Sequence, residues 1–314
     1  MRIADLGEFG LIAALAAGLP RGERTIVGIG DDAAVLSTPD GRVVATTDLL
    51  LEGLHFRLDW SDPADIGVKA AAQNLADVAA MGAVPVALLV GFAAPGDLPL
   101  AWAQELVSGI AEECARVGAT VVGGDTSRAQ SVVLAVTALG DLAGRDPVTR
   151  AGARPGDVLA IAGVLGDSAA GLALLEAGLP GPEPLIAAHR RPHPPYSAGP
   201  EAARLGATSM IDVSDGLLAD LGHIAQASGV LIDVDPALLP AGGDLAAAAA
   251  ALGRPGPLDW ILTGGEDHAL AATFPPGISL PDGWIVAGEV RAGHGVHVNG
   301  RAFTGPAGWN HFGR

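Results

Sequence analysis

Apolar residues recur at helical spacing through GEFGLIAALAAG, which predicts a first helix. They then gather into short runs, TIVGIG, AAVLST and RVVATTD, that read as strands. A long helical stretch, DIGVKAAAQNLADVAAMGA, is ended by Gly82, and VPVALLVGFA follows as a buried strand. A further helix, LPLAWAQELVSGIAEECARVG, stops at Gly118 and leads into the strands ATVVGGD and SVVLAVTALGDL. The pattern mixes α and β elements without the regular strand-helix-strand rhythm of a doubly wound sheet.

Proline and glycine punctuate GRDPVTRAGARPGD, between residues 144 and 157, and this turn-rich stretch separates an N-terminal domain, 1–146, from a C-terminal domain, 147–314. The second domain runs through the strand VLAIAG, the helix GDSAAGLALLEAG, a proline-rich passage HRRPHPPYSAGP and the strand TSMIDVSD. The helix GLLADLGHIAQASG, the strand VLIDVD, an alanine-rich helix from Asp244 to Leu252 and several short terminal strands complete it.

Composition narrows the function classes. With 314 residues, 49% of them apolar, the chain can bury a core in each domain. A net charge of -17, from 18 basic and 35 acidic residues, leaves no basic stripe for nucleic acid, so none is expected as a partner. Cys114 is the only cysteine, which excludes an internal disulfide and a Cys-based zinc site, and its helical surroundings point to a buried structural thiol. The N-terminus lacks the basic start and cleavage signal of a secretory peptide. The longest apolar stretch, AVPVALLVGFAAPG, is too short to span a membrane and contains Pro85. A cytoplasmic protein with no membrane partner is the expectation.

The acidity matters because it is clustered at turns and strand ends: Asp31 and Asp32 in GIGDDA, Asp48 in ATTDLLLEG, Asp77 in NLADVAAMGA, Asp125 in GGDTSR, and Asp212 with Asp215 in IDVSDG. Crowded carboxylates repel unless cations hold them, and hard divalent cations such as Mg2+ take carboxylate oxygens. GIGDDA fits a loose dinucleotide pattern, but its two aspartates occupy the phosphate approach and a strand follows, so Asp32 reads better as a metal ligand or as a turn residue. Thr46, Thr47 and Asp48 put hydroxyls and a carboxylate at a strand end, which suits a metal and its waters but is also an ordinary strand terminus. Gly123 and Gly124 let the backbone near Asp125 approach a phosphate or nucleoside. Asp215 is placed either to ligate a metal or to cap the helix starting at Gly216. Glu266 and Asp267 repeat the arrangement behind two glycines in GGEDHAL.

Lys69, Gln73 and Asp77, with Asn74, share one side of a helix, which is either a solvated face or a functional stripe. Lys69 is the only lysine, and no P-loop glycine pattern precedes it, so any nucleotide is bound without a Walker motif. Neutralising a triphosphate then falls to bound metals. The histidines show no metal-ligand spacing, and His55, beside the Asp48 cluster, is the one candidate among them for substrate binding.

Taken in order, GIGDDAAVL, TTDLLLEGLHF, NLADVAAMGA, GGDTSR, TRAGARPGD, GDSAAGLALL, IDVSDGLLADLGHIA, GGEDHAL and the terminal GWNHF resemble the thiamine-monophosphate kinase family across nearly the whole chain. The resemblance implies an aminoimidazole-ribonucleotide synthetase-like fold of two α/β domains, the N-terminal sheets of two chains pairing into a barrel across a homodimer. The N-terminal domain would bind ATP and Mg2+ and dimerise, and the C-terminal domain would complete the active site. It implies ATP-dependent phosphorylation of thiamine monophosphate to thiamine diphosphate. Carried over by position, Asp32, Thr46, Thr47, Asp48, Asp77, Asp125, Asp212 and Asp215 would hold several Mg2+ ions. Gly124, Asp125, Arg150 and Ser214 would meet ATP, and His55, Glu266 and Trp309 the thiamine phosphate. Trp309 stands where the family often has tyrosine, which keeps the aromatic face. Other readings are a purine-pathway synthetase of the same superfamily or a non-catalytic Mg-nucleotide-binding protein. A selenophosphate synthetase would need an N-terminal reactive cysteine, and a carbamoyl-dehydrating maturation factor a terminal one, and this chain has neither.

Overall fold

A computed structural model of the chain describes residues 2–20, 22–27 and 35–309. The GIGDDA segment, with Asp31 and Asp32, lies outside the described residues. The chain forms two compact units, Met1–Val78 with Ala83–Gly144, and Ala79–Gly82 with Arg145–Arg314.

The first unit begins with α1 (Ile3–Ala16) and a two-stranded pairing of β1 (Thr25–Val27) with β2 (Val35–Leu36). Its main sheet contains β3 (Val44–Leu51), β4 (Val84–Ala94), β5 (Thr120–Arg128) and β6 (Val133–Asp141), in the order β3-β6-β4-β5. The helix α2 (Pro63–Ala80) leads from β3 to β4, and α3 (Leu100–Ala115) joins β4 to its parallel neighbour β5. β6 runs antiparallel between β3 and β4, so the crossovers do not build a doubly wound sheet. The two helices meet backbone to backbone at glycines: a Cβ on Gly67 would stand 2.0 Å from the Leu106 carbonyl oxygen, and one on Gly109 2.0 Å from that of Ala64. Gly82, at φ +73°, donates its N–H to the Ala79 carbonyl and ends α2 as expected. Cys114 is buried on α3, and burial, with Glu113 adding to it, pushes its thiol up to about 12, so it is inert.

In the second unit, β7 (Val158–Ala162), β8 (Ser209–Val213), β9 (Leu231–Val234), β10 (Ala269–Phe274), β11 (Trp284–Arg291), β12 (Gly295–Val298) and β13 (Arg301–Ala302) form one sheet in the order β13-β12-β9-β11-β7-β10-β8. Only β9 and β12 pair in parallel among these. The central strands are buried on both faces. Leu159, Ile161, Ile211, Val213, Ala269 and Ala271 face one core, and Ala160, Ala162, Met210, Leu270, Ala272 and Phe274 face another. That is why ALAATF reads as an unbroken run of apolar or small residues.

The helices of this unit are α4 (Asp167–Ala177), α5 (Glu183–Arg190), α6 (Ala198–Leu205), α7 (Leu217–Ser228), α8 (Gly243–Ala251) and α9 (Leu258–Thr263). Three of them were not expected. The proline-rich passage is flanked by α5, whose Pro184 sits in the first turn where its missing N–H costs nothing, and by α6, which closes on Gly206 at φ +82°. α9 has six residues, too few for any period to show.

Candidate active site

In the first unit the polar groups collect where β3 faces α2. Strand alternation puts Thr46 and Asp48 on one side and Thr47 on the other. The Thr46 hydroxyl donates to Asp77 Oδ2 at 2.7 Å, and the Asp48 N–H donates to Asn74 Oδ1 at 3.1 Å. The Thr47 hydroxyl instead donates to the Val136 carbonyl and accepts from Thr137. Asn74 is fully buried, with its amide bonded to the Ala70 carbonyl, and Lys69 is 2% exposed with its ammonium on the His55 carbonyl at 3.0 Å. The helical stripe is therefore an interior face and not a solvated one. A buried amide and ammonium persist only with partners, and β3 and the loop after it supply them. Asn74, which positions the Asp48 backbone, was not singled out from the sequence as a site residue.

His55 Nδ1 accepts the Leu51 N–H at 3.0 Å, so in the neutral ring Nε2 carries the hydrogen. Asp125 lies exposed late in β5. Pairing registers put Asp48 in one row with Val136, Val90 and Gly124, and Asp125 in the next row with Leu49, Ala135 and Gly91. Three inter-strand steps, roughly 14 Å, separate β3 from β5, so Asp48 and Asp125 are not brought to one ion. Gly124 is required by the neighbouring strand, because a Cβ there would stand 2.0 Å from the Val90 carbonyl oxygen.

In the second unit, β8 delivers Asp212, Ser214 and Asp215 to the start of α7. Of the two readings of Asp215, the cap is not what forms. Asp220, inside the first turn of α7, turns back and accepts the N–H groups of Ser214, Asp215 and Gly216, each at 3.1 Å. A single carboxylate with three donors satisfies the turn, leaving the Asp215 side chain without that duty. The GGEDH segment packs against the same turn. Glu266 donates its N–H to the Ser214 carbonyl, and a Cβ on Gly265 would stand 2.5 Å from that oxygen. The Trp309 N–H donates to the Asp215 carbonyl, so Ser214, Asp215, Glu266 and Trp309 are joined through one set of backbone bonds.

Asp267 is engaged differently from its sequence-based reading as part of an acidic ligand cluster. Its Oδ2 accepts the Gly166 N–H at 2.6 Å and its Oδ1 the Ser168 N–H at 2.9 Å, so it caps α4 from a distant segment. Arg150 lies by the other end of α7, where its carbonyl accepts the Ser228 hydroxyl. The twelve residues of α7 span roughly 18 Å, so the backbones of Arg150 and Ser214 are not neighbours. A cavity of about 530 Å³ lined by Asp233, Glu289, Arg291 and Asn299 contains none of the expected site residues.

Electrostatics follow from burial. The Asp220 carboxyl is pushed up to about 7 by burial and then by the charge of Asp212, against the pull of its backbone donors. Such crowding of negative charge is what a bound cation relieves. The donors at both places are oxygens, which suits Mg2+ over softer ions. Among the described residues, no three carboxylate, imidazole or thiol groups converge as a ready metal cluster.

Asp267 is also pushed up to about 7, by burial, while Ser168 and Gly166 pull it down. A carboxyl raised in the folded state contributes stability that is complete below its ordinary value near 4 and is lost as pH rises through about 7. Asp267→Asn is therefore expected to flatten the fall in melting temperature between about pH 4 and 7, although losing one of two accepted bonds lowers stability at every pH. An unchanged slope in thermal melts would show that Asp267 does not titrate there.

Residues 30–142 match the family model described as AIR synthase related protein, N-terminal domain. The chain is 52% identical over 313 residues to the thiamine-monophosphate kinase of Mycobacterium tuberculosis, covering 99% of this chain and 93% of that one. The crystal structure of thiamine-monophosphate kinase from Stenotrophomonas maltophilia K279a superposes with a TM-score of 0.83 at 34% identity, covering 95% of this chain and 98% of that one. A structure of AaThiL complexed with AMPPCP and TMP superposes with a TM-score of 0.81 at 35% identity, over 99% of each chain.

Proposed function

The chain belongs to the thiamine-monophosphate kinase family, and we infer from this that it transfers the γ-phosphoryl group of ATP to thiamine monophosphate, giving thiamine diphosphate and ADP. The 52% identity over 313 residues carries the conclusion. ATP is the co-substrate, in keeping with the AMPPCP and TMP held by a relative.

We propose further that several Mg2+ ions are held by Asp32, Thr46, Asp48, Asp77 and Asp125 of the first unit and by Asp212 and Asp215 of the second, while Thr47, turned to the other side of β3 with its hydroxyl on Val136, is left out of the set the resemblance implies. Bound Mg2+ would screen a repulsion that, for one pair of unit charges at about 4 Å, amounts to roughly 4 kcal/mol at an effective dielectric of about 20. Gly124, Asp125, Arg150 and Ser214 would contact ATP. His55, Glu266 and Trp309 would contact thiamine monophosphate. Trp309 is 58% exposed, and its indole would stack on a cationic thiamine ring. Trp309→Ala is expected to raise the KM for thiamine monophosphate about fivefold or more, and an unchanged KM would remove it from the site.

The acceptor is a phosphate monoester, mostly dianionic at neutral pH with a second pKa of about 6, so its oxygen attacks without a strong base. A bond forms between that oxygen and the γ-phosphorus as the bond to the β-phosphate oxygen breaks and ADP leaves. Direct in-line transfer inverts the phosphorus. Net retention, measured with chiral phosphate, would require a phosphoenzyme and exclude this path.

A homodimer formed through the four-stranded sheet, as the fold family implies, is supported by β3, where Ala45, Thr47 and Leu49 alternate as exposed residues on one side. Sedimentation giving a single-chain mass of 31.2 kDa would exclude it. Among the described residues no helix is long and apolar enough to cross a membrane. We propose a cytoplasmic enzyme with no nucleic-acid or membrane partner; recovery in the membrane fraction would contradict this.

The deciding experiment is product formation from ATP, Mg2+ and thiamine monophosphate, with free thiamine and aminoimidazole ribonucleotide precursors alongside. Thiamine diphosphate formed only from the monophosphate is the expected result. Turnover of a different superfamily substrate alone would move the function to a sister enzyme.

A further inference from the structure

The geometry points to His189 as a positioning residue that holds the Glu266 carboxylate in place for thiamine monophosphate. The inference rests on the assignment of Glu266 to substrate binding. His189 lies in the last turn of α5 and is 4% exposed, while the Glu266 side chain is 29% exposed. His189 Nδ1 stands 3.3 Å from Glu266 Oε2 and 3.3 Å from Ser168 Oγ. A carboxylate only accepts, so Nδ1 bonds Glu266 in the ring form that carries its hydrogen there, with the Ser168 oxygen at the same distance from that nitrogen. One end of the Glu266 side chain is thus held from the interior while part of it still faces outward.

The support behind His189 is rigid. A Cβ on Gly171 would stand 2.0 Å from the Leu185 carbonyl oxygen and 3.2 Å from the His189 Cβ, so α4 and α5 are in backbone contact beside the imidazole. Ser168 is itself held, since its N–H is bonded to the Asp267 carboxylate. Glu266 needs such support. Its φ of +64° is in the left-handed region, which costs a non-glycine residue energy and persists only when neighbours over-determine it. Its long side chain would otherwise spread over many rotamers, and that freedom would be lost again each time substrate bound. Nothing in the spacing of EPLIAAHR marks this histidine, because its partners come from α4 and from the GGEDH segment, both distant in sequence.

The test compares His189→Asn with His189→Gln. An Asn amide nitrogen can take the place of Nδ1, whereas the Gln amide extends beyond it. His189→Gln is expected to raise the KM for thiamine monophosphate about tenfold, with the KM for ATP within about twofold of the parent, and His189→Asn to recover most of the loss. Adding Glu266→Gln to His189→Gln should bring little further rise, since both changes act on one contact. Equal KM values for the Asn and Gln variants, or a rise in both substrate KM values together, would overturn the role of His189. If Glu266→Gln alone leaves the KM for thiamine monophosphate unchanged, the assignment of Glu266 fails first and the inference with it. A rise for Glu266→Gln with no response to either His189 variant would remove His189 alone.

Discussion

Asp48→Asn and Asp77→Asn are each expected to lower turnover by about a hundredfold or more while changing the folding free energy by less than about 1 kcal/mol. The two effects separate because of what each side chain does for the fold. Asp77 accepts the Thr46 hydroxyl through Oδ2, and an Asn carbonyl accepts the same bond. Asp48 is tied to Asn74 through its backbone N–H, which the substitution leaves intact. What both variants lose is a negative charge, and the proposed use of that charge is to hold Mg2+ against ATP. Isothermal titration with Mg2+ and a non-hydrolysable nucleotide should show weaker metal binding in both variants. Unchanged turnover at saturating Mg2+ would remove either residue from the site, and a large fall in melting temperature would assign it to the fold.

Gly67→Ala should destabilise the first unit by about 3 kcal/mol, despite the gain of up to about 1 kcal/mol that alanine ordinarily brings inside a helix. The new Cβ would stand 2.0 Å from the Leu106 carbonyl oxygen and 2.9 Å from the Ile110 nitrogen, and backbone cannot move aside as the end of a side chain can. α2 and α3 would have to separate, and α2 carries Lys69, Asn74 and Asp77. Gly109→Ala should act in the same way, through Ala64. Gly222→Ala in α7 is the control, since a Cβ there meets nothing within 4 Å, and it should leave stability unchanged or raise it. Denaturant titration of the three variants is the measurement. A neutral Gly67→Ala would mean that the helices are free to slide apart.

Some of the candidate site could be read from local chemistry. Asp48 at a strand end, Asp125 behind glycines and Asp212 with Asp215 after an apolar strand are each visible as carboxylates at turns. Their environments were not visible. The stripe of Lys69, Asn74 and Asp77 carries the same spacing whether it faces water or protein, and only its packing on β3 and the following loop makes it interior. Asp215 reads from the sequence as a cap or a metal ligand, and the backbone path at Gly216 gives the capping bonds to Asp220, four residues further on. Thr46 and Thr47 are adjacent in sequence, yet strand alternation sends one hydroxyl to Asp77 and the other to Val136.

By itself the sequence determined the order of most helices and strands, the helix-ending glycines at 82 and 118, the inert cysteine and the family, because these depend on periodicity, local backbone preference and ordered motifs within short stretches. The tertiary structure decided which polar residues are buried, which carboxylate caps which helix, and which groups stand beside Glu266. Those outcomes depend on contacts between segments far apart in the chain, such as Asp267 with Gly166 and His189 with Glu266, and burial of an unpaired polar group is costly enough that only the completed packing selects the partner.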